Sequence, residues 1–318
     1  MRGRGRTAIL SYRRRVWAPG EHQVVTFTMD NDEASNQPFE YFELNGISFA
    51  SPLHSLELLE WLKDFEMDPD IPLIVSYPKS GTNWVQQMAS LILANGNIDS
   101  VKDKILKHRA PWIEFVPFKP GYTDYQLLTT HLNYQMVPSS AKNRRMKIIY
   151  VARNPKDVVV SFYHYHNCHH YLKTPKDFSD FLEQFIEGNV IYGSWFDHIR
   201  DWYNHKDELN MLFVTYEDMQ KDIRSVIVKV ASFLNKMLDG KTLESIVDHC
   251  TFAYMKTNAA TNYRAELKHF NHDIGHFFRK GIVGDWKNHF LVAQNEWFDS
   301  IYQERMAGLP LKFDYDLK

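Results

Sequence analysis

Two rhythms of apolar and polar positions alternate along this chain. Residues 71–75 and 146–152 are continuous apolar runs rich in β-branched side chains, the pattern of strands buried on both faces. Residues 127–132 and 211–215 read as two further strands. Between the strands the period lengthens to that of a helix. In 82–94, Trp84, Val85, Met88, Leu91 and Ile92 recur at helical spacing. The segment 154–166 opens with Pro155 in its first turn, where a missing N–H costs nothing. Further helices are predicted over 177–188, 192–205, 222–235, 241–249 and 294–306. This alternation predicts an α/β fold: one domain with a central, mainly parallel sheet flanked by helices. Ligands of such sheets sit at the carboxyl ends of the strands. The 77–84 segment, His131 and Arg153 all lie at or just beyond predicted strand ends.

The stretch before this pattern is different. The first 19 residues carry six arginines and no acidic residue, and residues 30–43 are acidic and polar. We read 1–37 as a flexible basic-then-acidic tail and 38–318 as the folded domain. An Arg-rich, acid-free start also suits a mitochondrial targeting segment, although serine is scarce; a secretory signal lacks its apolar core. The 318 residues suffice to bury about 75% of the unfolded chain's surface without staples. A net charge of −2 argues against a nucleic-acid partner held by overall positive charge. Two cysteines, Cys168 and Cys250, fit a reducing, cytoplasmic setting rather than a disulfide framework. No apolar run approaches the length of a membrane span.

The chemistry concentrates at Tyr77-Pro78-Lys79-Ser80-Gly81-Thr82-Asn83-Trp84. A strand, a small-residue loop with a lysine and then a helix form a cradle for an anion. Backbone N–H groups and the positive helix end face the anion, and the lysine adds a mobile charge. The loop is not a Walker A motif, because its first glycine is missing and its lysine precedes the glycine. A second constellation is Arg153-Asn154-Pro155-Lys156-Asp157 with Ser161, where a guanidinium and a hydroxyl can meet one phosphate. A structural arginine at a helix lead-in is the competing reading. A third is Arg279-Lys280-Gly281, with Gly281 and Gly284 permitting a tight turn; alone it reads as a solvated loop. Three separated anion sites suggest a ligand with more than one anionic group. Trp84 and Phe252 can sandwich an aromatic base and Tyr216 can bond its edge, although any one of them can equally be core. The run 164–170 holds four histidines and Cys168, and it raises a zinc reading. No second pair of ligands follows downstream, so no metal is expected.

These motifs together resemble the cytosolic sulfotransferases, which move a sulfuryl group from 3′-phosphoadenosine-5′-phosphosulfate (PAPS) to a small acceptor. The resemblance runs from about residue 40 to 313. It rests on YPKSGTNW at 77, TTHL at 129, RNPKDVVVSFYHY at 153, YGSW at 192, YEDM at 216 and RKGIVGDWKNHF at 279. It implies a P-loop-NTPase-like three-layer architecture. It gives Lys79, Ser80, Gly81, Thr82, Asn83 and Trp84 to the 5′-phosphosulfate, with Asn83 standing where threonine is usual. Arg153, Ser161, Arg279, Lys280 and Gly281 match binders of the 3′-phosphate. Tyr216, Phe252 and Met255 match adenine contacts, and Phe278 and Cys250 are grouped with the nucleotide binders; Cys250 replaces a common threonine.

The resemblance also assigns His131 as general base, since an acceptor O–H or N–H must lose its proton as its lone pair attacks sulfur. Lys79 then stabilises the leaving phosphate, and Ser161 restrains Lys79. Trp112, Phe115, Thr129 and Tyr165 are expected at the acceptor. Many phenol-sulfating members carry lysine where this chain has Thr129. Its loss points to an amine or a neutral alcohol rather than an acidic phenol, as in the amine-sulfating branch. Residues 287–296 resemble the family's short dimer motif, with Leu291 replacing threonine, and suggest a homodimer. Two other classes compete: a nucleotide-dependent phosphotransferase, which would need magnesium, and a non-catalytic nucleotide-binding protein, which would not need His131.

Overall fold

A computed structural model describes residues 40–317 apart from 52, 116–124, 264–268, 272 and 276. The tail expected over 1–37 lies outside these residues. The described part belongs to one compact unit.

Four parallel strands form its centre: β3 (Leu73–Ser76), β4 (Leu128–Thr130), β5 (Lys147–Ala152) and β6 (Asn210–Thr215), in the order β4-β3-β5-β6. Leu73 pairs with Leu128 on one side and Ile148 on the other, and Ile148 pairs with Met211. Alternate residues feed opposite layers, as the two-residue period of a strand requires. Leu73, Val75, Ile148 and Tyr150 pack into one core with α4 (Pro155–Cys168), α5 (Phe178–Glu187), α6 (Trp195–Asn204) and α11 (Val292–Arg305). Ile74, Ile149, Val151 and Val214 pack into the other with α2 (Thr82–Leu93), α8 (Ile223–Phe233) and α9 (Gly240–His249). The result is the expected three-layer α/β domain.

Several elements differ from the expectation. The acidic lead-in drawn to residue 43 overlaps a hairpin, β1 (Glu40–Leu44) with β2 (Ile47–Ser51). Asn45 and Gly46 turn it with φ of 55° and 74°, the left-handed pair that matches hairpin twist. The helix drawn over 192–205 begins only at Trp195. Tyr192 and Gly193 have φ of 66° and 70°, and the Ser194 side chain caps the helix by accepting from Asp197 N–H. The helix drawn over 222–235 is preceded by a separate one, α7 (Tyr216–Lys221), which leaves β6 directly from its Thr215 cap. Asp222 ends α7 and caps α8. Three short helices had no predicted counterpart: α1 (Leu56–Leu62), α3 (Leu106–Arg109) and α10 (Phe252–Thr257). Among the described residues no helix is long and apolar enough to cross a membrane.

Candidate active site

The carboxyl ends of β3, β4 and β5 open into one cavity of about 790 Å³. Of the residues named from sequence, Lys79, Gly81, Thr82, Asn83, Trp84, Trp112, Phe115, His131, Arg153, Ser161, Tyr165, Tyr216, Phe252, Met255, Phe278, Arg279, Lys280 and Gly281 all line it. Ser80, Cys250 and Thr129 do not.

The loop after β3 is shaped by backbone conformation. Lys79 adopts φ 68°, and Gly81 caps α2 at φ 104°. A Cβ on Gly81 would fall 2.8 Å from the Tyr216 ring, so no larger residue fits without movement. Thr82 bonds Ser76 through their hydroxyls at 2.7 Å, locking the loop to the strand end. Three buried polar atoms here lack a protein partner: Ser80 Oγ, Asn83 Nδ2 and Arg153 Nε. Buried donors left without a protein partner in this region fit a phosphate-bearing ligand, because buried polar groups are otherwise satisfied. Ser80 itself is buried and does not line the cavity.

Arg153 stacks over the Tyr216 ring at 4.1 Å and donates to the carbonyls of Ile282 (2.9 Å) and Lys79 (3.3 Å). It thus ties the first loop to the third. Asp157 completes the tie by accepting from Gly284 N–H and Trp286 N–H. Arg279 and Lys280 both pair with buried Asp285, at 2.5 and 2.6 Å. Burial raises that carboxyl, but bonds from Lys280, Asn288 and Arg279 outweigh it and hold the group well below the usual range. Gly281, at φ 69°, has no room for a Cβ, which would meet the Phe252 ring at 2.2 Å.

The aromatic residues expected at a base gather at the far end of this cradle. Trp84 meets Tyr216 edge-on at 5.4 Å, and Phe252 lies 5.8 Å from Phe278. Cys250 acts through its backbone: its carbonyl accepts from Trp84 Nε1 at 2.6 Å, while its thiol is buried.

His131 stands just past β4. Its Nδ1 lies 2.6 Å from the Ser76 carbonyl, a contact only Nδ1–H can make, so Nε2 carries the free lone pair. Its backbone N–H donates to Glu114 Oε1 at 2.7 Å, and its carbonyl accepts from His198 Nε2. Trp112 and Tyr192 flank the ring at 4.2 and 5.1 Å. Burial, together with neighbouring His198, Lys79 and His54, pushes this imidazole down to about 3 despite the Ser76 bond, so it is neutral at cellular pH. Burial also lifts Glu114 to about 7, against the bonds it accepts. Burial takes Lys79 down to about 8, with Arg153 and Arg279 adding to the effect against Cys168.

Thr129 is a correction. Its hydroxyl accepts from Gln86 Nε2 at 2.9 Å and donates to the Ala110 carbonyl, inside the packed layer under α2. It presents no side chain to the cavity. The histidine run also resolves into separate environments. His166 Nδ1 bonds the Lys173 carbonyl, and His169 Nδ1 accepts from Tyr171 N–H. No group of three or more metal-ligating side chains forms among the described residues. Sequence reasoning missed His54, Tyr192 and Phe277 on the cavity wall, whereas His169 belongs to the histidine run already singled out. Tyr192 was within reach, since it opens the YGSW motif; His54 and Phe277 carry no local signal.

The sulfotransferase-domain family model matches residues 68–310. The chain is 43% identical over 278 residues to an amine sulfotransferase of Oryctolagus cuniculus, covering 86% of this chain and 92% of that one. It is 41% identical over 265 residues to sulfotransferase 1C2 of Homo sapiens, covering 80% and 90%. Among solved structures, mouse sulfotransferase SULT7A1 complexed with PAP superposes with a TM-score of 0.69 at 34% identity, covering 85% of this chain and 95% of that one. Retinol dehydratase in complex with retinol and PAP superposes with a TM-score of 0.77 at 23% identity, covering 87% and 93%, a likeness of fold. The chain belongs to the sulfotransferase family. It is an enzyme of that class, with PAPS as its sulfuryl donor.

Proposed function

We propose that this enzyme sulfates an amine or a neutral hydroxyl on a small apolar acceptor, with His131 as general base and Lys79 as the cation at the leaving phosphate. One observation carries the proposal: the Nδ1 bond to Ser76 frees the His131 Nε2 lone pair in the same cavity as Lys79. A neutral imidazole held in one tautomer can take the acceptor's proton as the acceptor attacks. The ammonium of Lys79 suits the charge that grows on the departing phosphate oxygen. The cradle of Ser80, Gly81, Thr82, Asn83 and Trp84 would hold the 5′-phosphosulfate. Arg153, Ser161, Arg279, Lys280 and Gly281 would hold the 3′-phosphate. Trp84, Tyr216, Phe252, Met255 and Phe278 would hold the adenine, with the Cys250 carbonyl orienting Trp84.

The acceptor assignment rests on three supports. Trp112, Phe115 and Tyr165 supply an apolar wall. Thr129 puts no cation beside His131 to favour a phenolate. One relative at 43% identity is an amine sulfotransferase. Rates with a panel of aryl amines, steroids and phenols test it; strong preference for simple phenols would overturn the assignment. We further propose a homodimer through 287–296, where Leu291 and Val292 are 67% and 76% exposed. Sedimentation of wild type against Val292→Glu decides it: a dimer that becomes a monomer is expected, and a monomeric wild type refutes it. A cytoplasmic setting accords with two buried free cysteines.

A further inference from the structure

The rim of the cavity carries charge that the donor's cradle leaves unassigned. Six cationic side chains line the cavity, and no carboxylate does among the described residues. Lys79, Arg153, Arg279 and Lys280 belong to the cradle. Lys104 and Lys107 do not. They come from the segment that leads into the aromatic wall: α3 carries Lys107, and Ala110, Pro111 and Trp112 follow it directly. That segment is fixed at both ends. Leu106 N–H donates to the Ala260 carbonyl at 2.8 Å. Thr129 N–H donates to the Pro111 carbonyl at 2.9 Å, and Ile113 N–H donates to the Thr129 carbonyl at 3.0 Å, so 111–113 runs along β4 just ahead of His131. Two helical and three extended steps separate Lys107 from Trp112, a reach of roughly 13 Å at most. The Trp112 ring lies 4.2 Å from that of His131. Lys104 is exposed and Lys107 partly so, which puts both at the rim. Two acidic groups of this region, Glu114 and Asp285, are buried and do not line the cavity.

Charge of one sign at a cavity rim draws in ligands of the opposite sign and repels those of its own. An acceptor with an anion at its far end meets attraction there while its apolar body lies along Trp112 and Phe115. We propose that Lys104 and Lys107 are specificity-determining residues that hold a carboxylate at the far end of the acceptor, so that the enzyme favours aryl amines and alcohols carrying an acid remote from the nucleophile. The proposal rests on the reading of this aromatic wall as the acceptor site. A carboxylate at the rim keeps much of its water, so it is spared the desolvation that a buried ion pair must repay. Each pairing with an exposed lysine then favours binding by about 1.4- to 5-fold. The same two charges disfavour an acceptor that carries a second, basic amine at that end. A donor-steering role for the lysines is the competing reading, and it would show in the affinity for the nucleotide.

Equilibrium binding tests this without requiring turnover. The enzyme is saturated with adenosine 3′,5′-bisphosphate and titrated in a calorimeter with two ligands. One is an aminobiphenyl whose carboxylate sits at the ring position farthest from the amine; the other is its carboxamide. The carboxylate should bind about 3- to 10-fold more tightly than the amide at low salt, and the advantage should shrink as salt screens the charges. Lys104→Ala combined with Lys107→Ala should abolish the advantage. It should leave the affinity for the amide and for adenosine 3′,5′-bisphosphate within about twofold of wild type. Equal binding of acid and amide by the wild-type enzyme overturns the proposal. So does a double variant that loses as much affinity for the nucleotide as for the acid, because the lysines would then serve the donor. If the double variant does not fold, Lys104→Gln and Lys107→Gln made singly must between them lower the advantage, and no change in either overturns the proposal. Sulfuryl transfer to the carboxamide tests the functional reading separately: its failure refutes that reading, while the binding comparison still decides whether the lysines hold an acid.

Discussion

The two ends of the cavity treat charge in opposite ways. At the cradle end, cations are kept and wired into place. Arg153 is tied to two backbone carbonyls, and Arg279 and Lys280 to Asp285. Asp157 and Glu217 fix the intervening turns, the latter by accepting from the backbone and side-chain N–H groups of Asn154. At the aromatic end, burial strips charge away. His131 and His169 are pushed down to about 3 and His54 to about 4, while Glu114 is pushed up to about 7. Lys79 sits at the border, at about 8. A transferase of this kind needs both environments within one cavity: fixed positive charge for the donor, and a neutral apolar wall where a base can accept a proton. The acidic residues of the cradle are as much a part of it as the basic ones, because they set where the cations point.

The comparison can be broken at either end. The largest effect is expected for His131→Ala, which should lower the transfer rate about 10²- to 10⁴-fold while calorimetry still registers uptake of adenosine 3′,5′-bisphosphate. Normal turnover in that variant would remove His131 from the mechanism. The next concerns acid. His54, His131 and His198 are buried and neutral, and each binds a proton far more readily once unfolded. Their folded values lie below the unfolded one, so stability is full above about pH 6.5 and is lost as pH falls. Each can cost about 1.4 kcal/mol per pH unit below that point. Thermal melts between pH 7.5 and 5 should record the decline, and a flat melting temperature would contradict neutral burial.

At the cradle end, Gly281→Ala should weaken nucleotide binding about 5- to 100-fold, reflecting about 1–3 kcal/mol of strain against Phe252. Calorimetry reads it. The smallest effect sharpens the contrast most. Ser80→Ala removes a hydroxyl that has no protein partner, so the free protein should melt within about 0.5 kcal/mol of wild type. Nucleotide affinity should nonetheless drop by about 1 kcal/mol. Equal loss in both measurements would mean that Ser80 is structural. The pH–rate profile joins the two ends: transfer should decline as pH rises past about 8, where Lys79 loses its proton, and Lys79→Arg should lose that limb.

Much of this was legible in the chain. The runs at 71–75 and 146–152 announced β3 and β5 because parallel strands buried on both faces have no polar side to show. The cradle was legible because an anion site of this type is local: strand end, turn and helix start are contiguous. Lys79, Arg153 and the 279–281 turn could be named separately. That Asp157 and Asp285 hold them could not, since an acidic residue in a loop carries no signal until its partners are in space. The hairpin over 40–51 went unread although Asn45-Gly46 marks it, because short polar strands next to an acidic stretch look like a lead-in.

By itself, the order of residues determined the layers, the strand ends and the chemistry of the phosphate cradle, because those depend on near neighbours and on the periods of helix and strand. Tertiary structure alone decided what surrounds His131 and Lys79. The tautomer set by Ser76, the withdrawal of Thr129 behind Gln86, and the seat of the Lys79 ammonium over the Tyr165 and Phe277 rings join residues from 43 to nearly 200 positions apart. Such contacts follow from packing, which no local pattern encodes.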